Sequence, residues 1–445
     1  MSQSKSSRGR VIVTFGRSYQ ALAAVQSLGR RGVEVVVCDE APIMVAEFSK
    51  YTVGRFVHPP AKKNPQAFLD SVLMNVARFA PEDESTPYVL MPIYEQTRLF
   101  AEYRERFEPR IRVASPPFDA IEQVDPKHKL TATATRLGLP IPKTWQIASH
   151  EHLEAILPDV QFPVFLKLPH TSGGLGLHRA ETAVELREAY LRTLKEFDVT
   201  SPDQRPIVQQ AVRGADYCVT MLLQHGKVKA HLTYRNVKTY PWTGGSGAIR
   251  ETVEAKPLVD MASRLLSALE WHGVAEVDFI WNGRDDGNAH LIEVNPRFWG
   301  GLFHTIESGV DYPWMLYQMI TTGVIDAQPE GVVGARTQVP LFGVLAAIKD
   351  IRQDLLEEME HHCERGVEQI KDGAVGQGLR SIAHGMHRGI GLKERLKRLQ
   401  EFLNENRNAR TEIFSTEDPQ ACLGILFGLA SLIRNGELPE QFRKR

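Results

Sequence analysis

Residues 273–301 read GVAEVDFIWNGRDDGNAHLIEVNPRFWGG, and this stretch decides the fold. Residues 274–281 alternate polar and apolar side chains and are rich in Val, Ile and Phe, which predicts a strand with one buried face. The Gly/Asn/Asp cluster at 282–288 predicts a hairpin turn, and 290–295 then forms the returning strand. The stretch is therefore a predicted β-hairpin.

Alternation along this hairpin brings four polar side chains together. Glu276 and Asp278 share one face of the first strand, and Glu293 and Asn295 share one face of the second. The opposite faces, which we expect to fill the core, carry Val277, Phe279, Ile292 and Val294. Oxygen ligands suit Mg²⁺, which usually bridges to substrate phosphates. The hairpin predicts a Mg²⁺–nucleotide site; the alternative is a solvated sheet face with Arg297 in a surface ion pair.

The sequence that ends the hairpin is more distinctive than the end of an ordinary strand. Pro and paired Gly in E-V-N-P-R-F-W-G-G fix a particular backbone course. D-F-I followed by L-I-E-V-N-P-R resembles the metal-binding core of the ATP-grasp ligase superfamily. The resemblance implies that Asp278, Glu293 and Asn295 bind Mg²⁺ (or Mn²⁺). It also implies that Arg297 contacts the transferred phosphoryl group or acyl phosphate, whereas Glu276 is only a neighbour of these ligands.

Size and composition set the protein class. With 445 residues, 42% hydrophobic and 24% charged, the chain can form two or three globular domains. A net charge of −1 gives no bulk field for nucleic acid. The four cysteines are far apart in sequence, which indicates reduced thiols and a cytoplasmic protein. We expect no secretory signal at the N-terminus. We also expect no transmembrane segment, because the apolar run at 421–433 is too short to span a bilayer.

The N-terminal region has the pattern of an α/β domain. A strand over 11–15, a helix over 19–31 and a strand over 33–38 predict a βαβ start. A single Gly in the first turn, instead of G-x-G-x-x-G, argues against dinucleotide binding. The resemblance implies a pre-ATP-grasp domain, which often lines the second-substrate pocket. Glu95 follows a predicted strand and is a substrate candidate, although an ordinary helix-start carboxylate explains it equally well.

Two lysines are candidates for nucleotide binding. The helix predicted over 127–137 is stopped by Gly138, and D-x-K, a helix and G-L-P-x-P resemble the entry to an ATP-grasp domain. The resemblance implies that Lys127, rather than Lys129, contacts phosphate; a solvent-exposed charge is the alternative. Lys167 lies in an apolar strand, where a long charged side chain seldom occurs without a partner.

A Gly/Ser loop follows Lys167. Its backbone N–H groups suit phosphate binding, although it is not a Walker A loop because no G-K-[ST] ends it. A flexible hairpin tip is the alternative. The resemblance implies that Lys167 is the second nucleotide lysine and that the lid is formed by Ser172, Gly173, Gly174 and Gly176.

A strand over 207–212 resembles the hinge between the ATP-grasp subdomains, where backbone groups read the adenine edge. The resemblance therefore places Gln210, Ala211 and Val212 at the nucleotide. Many relatives carry Glu where Gln210 stands, so Asp216 is the better candidate for the ribose.

A segment over 234–251 is dense in Arg, aromatic and Gly residues and is predicted to be a loop. Such a composition suits anion recognition, because an Arg fork pairs with a carboxylate or a phosphate. Arg235 and Arg250 are the candidate substrate contacts.

The ordered motifs predict an α/β and α+β protein. The expected parts are a disordered tail (1–10), a Rossmann-like pre-ATP-grasp domain (11–120), a two-subdomain ATP-grasp domain (121–325, lid about 145–212) and a mainly helical C-terminal region (326–445). A helix over 313–320 fits either a homodimer interface or the core.

The resemblance implies an ATP-dependent ligase that joins a small-molecule carboxylate to an amine through an acyl phosphate and releases ADP and phosphate. The alternatives are a bicarbonate-activating carboxylase or carbamoyl-phosphate-type enzyme, and an inactive nucleotide-binding scaffold.

Overall fold

A computed structural model of the chain describes residues 8–169, 176–240, 246–284, 289–326, 330–339, 406–412 and 415–424, together with single helical positions between 362 and 404. The chain separates into two compact units. The first comprises Met1–Asn236, Glu251–Ala335 and Ile413–Arg445, and the second comprises Val237–Arg250 and Arg336–Glu412. The domain boundaries expected from sequence stay predictions.

The N-terminal part of the first unit contains a parallel five-stranded sheet with the order β3-β2-β1-β4-β5. Its strands are β1 (Arg10–Val13), β2 (Glu34–Asp39), β3 (Thr52–Val57), β4 (Tyr88–Met91) and β5 (Arg112–Val113). Its helices are α1 (Tyr19–Gly29), α2 (Pro65–Arg78), α3 (Gln96–Glu102) and α4 (Phe118–Ile121). The apolar run in β1 is fully buried, as expected for a strand covered on both faces. Strand order reverses at β1 and β4, so a crevice opens at their carboxyl ends.

A second sheet in the same unit is antiparallel, with the order β6-β9-β7-β8. It comprises β6 (Thr144–Gln146), β7 (Val164–Lys167), β8 (His178–Ala180) and β9 (Ile207–Gln210), accompanied by the helices α5 (Lys127–Arg136), α6 (His150–Ile156) and α7 (Ala183–Glu196). In β7, Val164 and Leu166 enter the core, whereas Phe165 and Lys167 take the other face. Lys167 therefore stands on the polar side of an apolar strand.

The third set of strands contains the hairpin predicted from sequence. It comprises β10 (Ala215–Gln224), β11 (Lys227–Tyr240), β12 (Ser246–Thr252), β13 (Gly273–Trp281) and β14 (His290–Asn295), with α8 (Lys256–Ala268), α9 (Leu302–Glu307) and α10 (Tyr312–Thr322). In the first unit the strand order is β14-β13-β10-β11. The prediction of a loop over 234–251 is wrong. Its first part belongs to β11 and its last part belongs to β12. Residues 241–245 lie outside the described part.

Helix α10 packs into the core of its unit, where its residues Tyr312, Met315, Leu316 and Met319 are buried. Core burial is thus the better of the two interpretations of this helix, and the homodimer stays a prediction.

In the second unit, β15 (Arg336–Gln338) pairs in parallel with β16 (Arg410–Thr411). Most of 340–405 lies outside the described residues, so the predicted helical C-terminal region stays a prediction. None of the helices in the described ranges combines the length and apolar character that a bilayer span requires. The cytoplasmic location stays a prediction.

Asp418 ties the C-terminal segment to the N-terminal sheet layer within the first unit. Its fully buried carboxylate accepts hydrogen bonds from Gln26 Nε2 (3.0 Å), Ser49 Oγ (2.6 Å) and the Lys50 N–H (3.0 Å). We expect Asp418→Ala to lower the free energy of unfolding by about 3 kcal/mol, because three donors lose their acceptor. The adjacent Glu417→Ala, which removes only an ion pair to Arg30 with Glu417 62% exposed, should cost under about 1 kcal/mol. Urea denaturation measures both, and equal losses would contradict the assignment.

Candidate functional site

The hairpin of β13 and β14 has the register that the sequence predicts. Glu276 lies opposite Asn295 and Asp278 opposite Glu293, so all four side chains share one face. The prediction that Ile292 fills the core is wrong. The pairing shifts after Asp278 and places Phe279 opposite Leu291. This β-bulge gives the buried position to Leu291 and leaves Ile292 half-buried.

The polar face extends onto the two neighbouring strands. Across β10 and β13, Cys218 lies opposite Asp278 and Thr220 lies opposite Glu276. Ligand atoms of Cys218, Glu276 and Asp278 all lie within 4.8 Å of one another. From β11, the Tyr234 hydroxyl donates a hydrogen bond to Glu276. Four strands therefore contribute to one buried polar surface.

Two lysines from separate elements reach this surface. Lys127, the first residue of α5, places Nζ 2.9 Å from Glu293 Oε1. Its backbone N–H donates to Pro169 O (3.2 Å), which joins the start of α5 to the chain leaving β7. Lys129, the alternative from sequence, is 44% exposed and pairs instead with Glu122. The structure thus brings Lys127, and not Lys129, to the carboxylates.

Lys167 is the second cation at the site. Its Nζ donates to Gln209 Oε1 (2.6 Å), and Gln209 Nε2 in turn donates to Thr144 Oγ1 (3.0 Å). Burial lowers the pKa of Lys167 to about 8, with the charges of Glu293 and Asp278 opposing that effect and the charge of Lys127 adding to it. An ammonium group beside carboxylates with little water around it is suited to binding phosphate oxygens.

Two of the three hairpin carboxylates, Asp278 and Glu293, have pKa values shifted in opposite directions. Burial raises the pKa of Asp278, and the charges of Glu276, Asp216 and Glu293 raise it further. Burial also tends to raise the pKa of Glu293, but Lys127, Lys167 and Arg297 outweigh it and hold that pKa below its usual value. Asp278 is thus the carboxylate whose charge most needs a cation.

The donor set fits a hard divalent ion such as Mg²⁺ or Mn²⁺. Among the described residues, Asp278 Oδ1 is a buried oxygen without a hydrogen-bond partner. A ligand oxygen of Glu276 lies within 4.8 Å of one of Asp278, and Glu293 lies opposite Asp278 across the hairpin. Carboxylate oxygens are the ligands that Mg²⁺ prefers. Asn295 directs Nδ2 to Asp278 Oδ2 (3.1 Å) and Oδ1 to Arg297 Nη2 (2.9 Å), so binding through Oδ1 requires the amide to reorient.

The hinge residues form hydrogen bonds that stabilise the sheet β6-β9-β7-β8. The Gln210 side chain donates to the carbonyl oxygens of Gln161 and Pro163, and its backbone N–H donates to Lys143 O (2.8 Å). The Ala211 N–H donates to Pro163 O (3.2 Å). The roles of these residues and of Val212, half-buried just beyond β9, in adenine binding stay predictions.

Asp216 accepts a hydrogen bond from Asn236 Nδ2 (2.8 Å) and raises the pKa of Asp278, so it stands beside the carboxylate cluster. Its contact with ribose stays a prediction. Of the lid residues, Ser172, Gly173 and Gly174 lie outside the described part. Gly176 has φ 65°, and a Cβ there would meet Leu168 Cδ1 at 2.5 Å, so this position requires glycine.

Each of the three substrate candidates has a carboxylate or lysine partner within its own unit. Glu95 pairs with Lys62 (2.8 Å), and Arg235 pairs with Glu251 (2.6 Å). Arg250 belongs to the second unit, where it and Glu412 are each 3% exposed and form an ion pair of 2.6 Å. This buried pairing supports a structural role for Arg250, and the substrate contact expected from sequence stays a prediction.

A double substitution separates the two roles of Arg250. Arg250→Met leaves the Glu412 carboxylate buried and unpaired, and we expect a loss of about 3–5 kcal/mol in the free energy of unfolding. Adding Glu412→Leu should restore most of that loss, because no charge then remains buried. Urea denaturation gives the stabilities, and nucleotide binding by the double variant should equal the wild type. A stable double variant with weakened substrate binding would favour the substrate role.

Several site residues carried no usable signal in the sequence. Cys218 lies on β10, and Tyr234 and Asn236 lie on β11. They join the carboxylates only because β10 pairs with β13 and β11 pairs with β10. Gln209 reaches Lys167 because β9 pairs with β7. Alternation places each of them on a face of its own strand, but the partner strand is not readable from local sequence.

Comparisons with known proteins agree with this geometry. A family model described as "ATP-grasp in the biosynthetic pathway with Ter operon" matches residues 203–339. The carbamoyl phosphate synthase large chain of Methanosphaerula palustris is 22% identical over 288 residues, covering 62% of this chain and 25% of the relative. The chain therefore spans about a quarter of that relative's length.

Solved structures share the fold. Biotin carboxylase from Campylobacter jejuni, in a β,γ-ATP complex, gives a TM-score of 0.59 at 16% identity, covering 73% of this chain and 74% of the other. An L-amino acid ligase from Bacillus licheniformis gives 0.54 at 17% identity, covering 73% and 75%. The family match places an ATP-grasp domain over residues 203–339, and the two solved structures share the fold of this chain.

Proposed function

We propose that the protein is an ATP-dependent carboxylate–amine ligase that works through an acyl phosphate. The observation that carries the proposal is the ion pair of Lys127 Nζ with Glu293 (2.9 Å) on the carboxylate face of β13 and β14. The pKa of Lys167 responds to the charges of Glu293 and Asp278, which supports a second cation nearby. Cations next to a carboxylate cluster form a site for a polyphosphate and its divalent ion. The match of residues 203–339 to an ATP-grasp family model supports ATP as the nucleotide.

The proposed chemistry has two steps. A substrate carboxylate oxygen attacks the γ-phosphorus of ATP, the bond to the β–γ bridging oxygen breaks, and ADP leaves. The amine nitrogen then attacks the acyl carbon, the C–O bond to phosphate breaks, and the amine loses one proton as the amide forms. Neither step needs a covalent bond to the protein, so alignment and charge neutralisation are what the site has to supply.

The chain's own residues fit those tasks. Lys127, Lys167 and Arg297 would offset charge on the phosphates as the γ-group moves. Asp278 and Glu293, with Asn295 after reorientation of its amide, would hold the divalent ion, and Glu276 lies close enough to add an oxygen. A bound Mg²⁺ or Mn²⁺ would screen the β- and γ-oxygens.

The second substrate is proposed to bind in the crevice at the carboxyl ends of β1 and β4. Open parallel sheets bind ligands where their strand order reverses, and β1 and β4 flank that point here. The sheet order supports the Rossmann-like domain expected from sequence. Glu95, which lies between β4 and α3, remains a proposed contact in this crevice.

The test is release of ADP and phosphate from Mg-ATP across a panel of carboxylates and amines. The proposal expects turnover that requires one member of each class and produces ADP, not AMP. Use of an ¹⁸O-labelled carboxylate should leave one label in the phosphate, because the carboxylate oxygen stays with the γ-phosphorus. Turnover without label transfer would exclude the acyl phosphate.

A bicarbonate-activating enzyme is the second candidate, because the chain resembles a biotin carboxylase and a carbamoyl phosphate synthase. ADP release that needs bicarbonate and no other carboxylate would establish it. Binding of Mg-ATP without turnover on either panel would favour the inactive scaffold.

A further inference from the structure

An aromatic stack lies against Arg297. The guanidinium of Arg297 is 4.5 Å from the ring centroid of Tyr94. The Tyr94 ring is stacked on Phe15, with centroids 4.6 Å apart and planes 11° from parallel. Since Phe15 fills one face of Tyr94, the guanidinium takes the other. We call this arrangement the Arg297–Tyr94–Phe15 stack.

The stack joins separate elements of the first unit. Phe15 follows β1 and Tyr94 follows β4, at the crevice where strand order reverses, whereas Arg297 follows β14 and the carboxylate cluster. The aromatic pair is therefore placed between the crevice proposed for the second substrate and the cation proposed for the phosphoryl group.

Arg297 has defined contacts besides this ring. Nη1 donates to Phe298 O (2.9 Å) and Nη2 donates to Asn295 Oδ1 (2.9 Å), and the residue is 9% exposed. Both hydrogen bonds lie near the plane of the guanidinium, because its N–H groups do. The Tyr94 face adds a contact perpendicular to that plane, which the two hydrogen bonds do not supply.

The backbone at Phe15 is held in an unusual conformation. Phe15 has φ 58°, a left-handed value that is an outlier for a bulky residue. The following turn is fixed by hydrogen bonds from the Gly16 N–H to Cys38 O (3.0 Å) and from the Arg17 N–H to Asp39 Oδ2 (3.0 Å). Strained residues persist where their surroundings over-determine them, and they cluster at functional sites. From this conformation the Phe15 ring stacks on Tyr94.

We infer that Tyr94 is a positioning residue that fixes the guanidinium plane of Arg297 for phosphoryl transfer, and that Phe15 holds Tyr94 in place. The inference rests on the proposed function, since it gives Arg297 a role at the transferring group. A cation held in advance stabilises developing charge without reorganisation during the reaction. Stacking on an aromatic face holds a buried guanidinium more firmly than solvent does.

The test uses Mg-ADP alone and Mg-ADP with aluminium fluoride, a mimic of the transferring phosphoryl group, so that no second substrate is required. The measured quantity is the tightening ratio, the Kd of Mg-ADP divided by its Kd with aluminium fluoride, from calorimetric titration. Arg297→Met should lower the ratio about 100-fold, and Tyr94→Leu about tenfold, because an arginine left free to rotate still supplies charge. The Kd of Mg-ADP alone should change less than about threefold in Tyr94→Leu.

Conservative variants and controls separate positioning from damage to the fold. Tyr94→Phe retains the ring face and should keep the ratio within about threefold of wild type, whereas Phe15→Leu should lower it less than Tyr94→Leu does. Tyr103→Leu, a substitution of the same kind at a residue 36% exposed, should leave the ratio unchanged. In an Arg297→Met background, Tyr94→Leu should have no further effect, since its effect acts through Arg297.

An unchanged ratio in Tyr94→Leu, or an equal fall in the Arg297→Met background, would overturn the inference. A tightening ratio of the wild type no greater than that of Arg297→Met would also overturn the inference. Failure of the proposed function has a different signature, because the ratios would follow the predicted order while no carboxylate and amine pair supports ADP release.

Discussion

Glu293→Gln is expected to lower the rate of ADP formation about 10³-fold while the chain still folds. Gln has nearly the shape of Glu, so the substitution removes the charge and preserves the packing. The lost carboxylate is the one that pairs with Lys127 at 2.9 Å and lies opposite Asp278 across the hairpin. Its removal weakens binding of the divalent ion and leaves the two lysines without their nearest counter-charge. The measurement is steady-state ADP release at saturating Mg-ATP.

Asp260→Asn is the matched control, because it also replaces a carboxylate by an amide. Asp260 is 61% exposed and pairs only with Lys256 on the surface of α8. Its rate should stay within about twofold of wild type. Activity of Glu293→Gln near that of this control would show that Glu293 is not part of the site.

Lys127→Met is expected to lower kcat/KM for Mg-ATP about 100-fold, whereas Lys129→Met should change it less than about threefold. The two lysines are two residues apart on α5, but only Lys127 reaches Glu293, and Lys129 pairs with Glu122. Both variants remove one positive charge from the same helix, so a general change in charge affects them equally. Steady-state kinetics at varied Mg-ATP distinguishes them.

Equal losses in the two lysine variants would indicate a long-range charge effect instead of a phosphate contact. A larger loss in Lys129→Met would contradict the placement of the site and the assignment of Lys127 made from the family resemblance.

The hairpin was predictable from sequence because its information is local. Alternation of polar and apolar residues sets the faces of β13 and β14, and the N-P-R-F-W-G-G end adds a specific backbone course. The Ile292 error has a physical cause, since a β-bulge inserts one residue and reverses the alternation beyond it. Composition cannot locate such a bulge.

The segment over 234–251 shows a second limit. Its Gly and Arg content is typical of a loop, yet β11 continues through Tyr240 and β12 begins at Ser246. Strand propensity depends on neighbouring strands, and tertiary pairing outweighs local composition. The pairing of Arg250 with Glu412 was equally hidden from local sequence, because Glu412 lies 162 residues further along the chain.

Contacts between distant residues make up the rest of the site. The Arg297–Tyr94–Phe15 stack combines residues that follow three different strands, and no periodic pattern links them. Lys127 and Lys167 were assigned by resemblance to a family, whereas their convergence on one carboxylate face became visible only in three dimensions.

Calorimetric titration of the wild-type protein with ATP, in Mg²⁺ and again in excess EDTA, tests the central claim most directly. The claim is that the carboxylate face of β13 and β14, with Lys127 and Lys167, forms one Mg-ATP site. The account predicts one bound nucleotide per chain in Mg²⁺ and at least about tenfold weaker binding in EDTA, because the carboxylates then repel the phosphates without a bridging ion. Absence of ATP binding in Mg²⁺, or equal affinity with and without the ion, would contradict it.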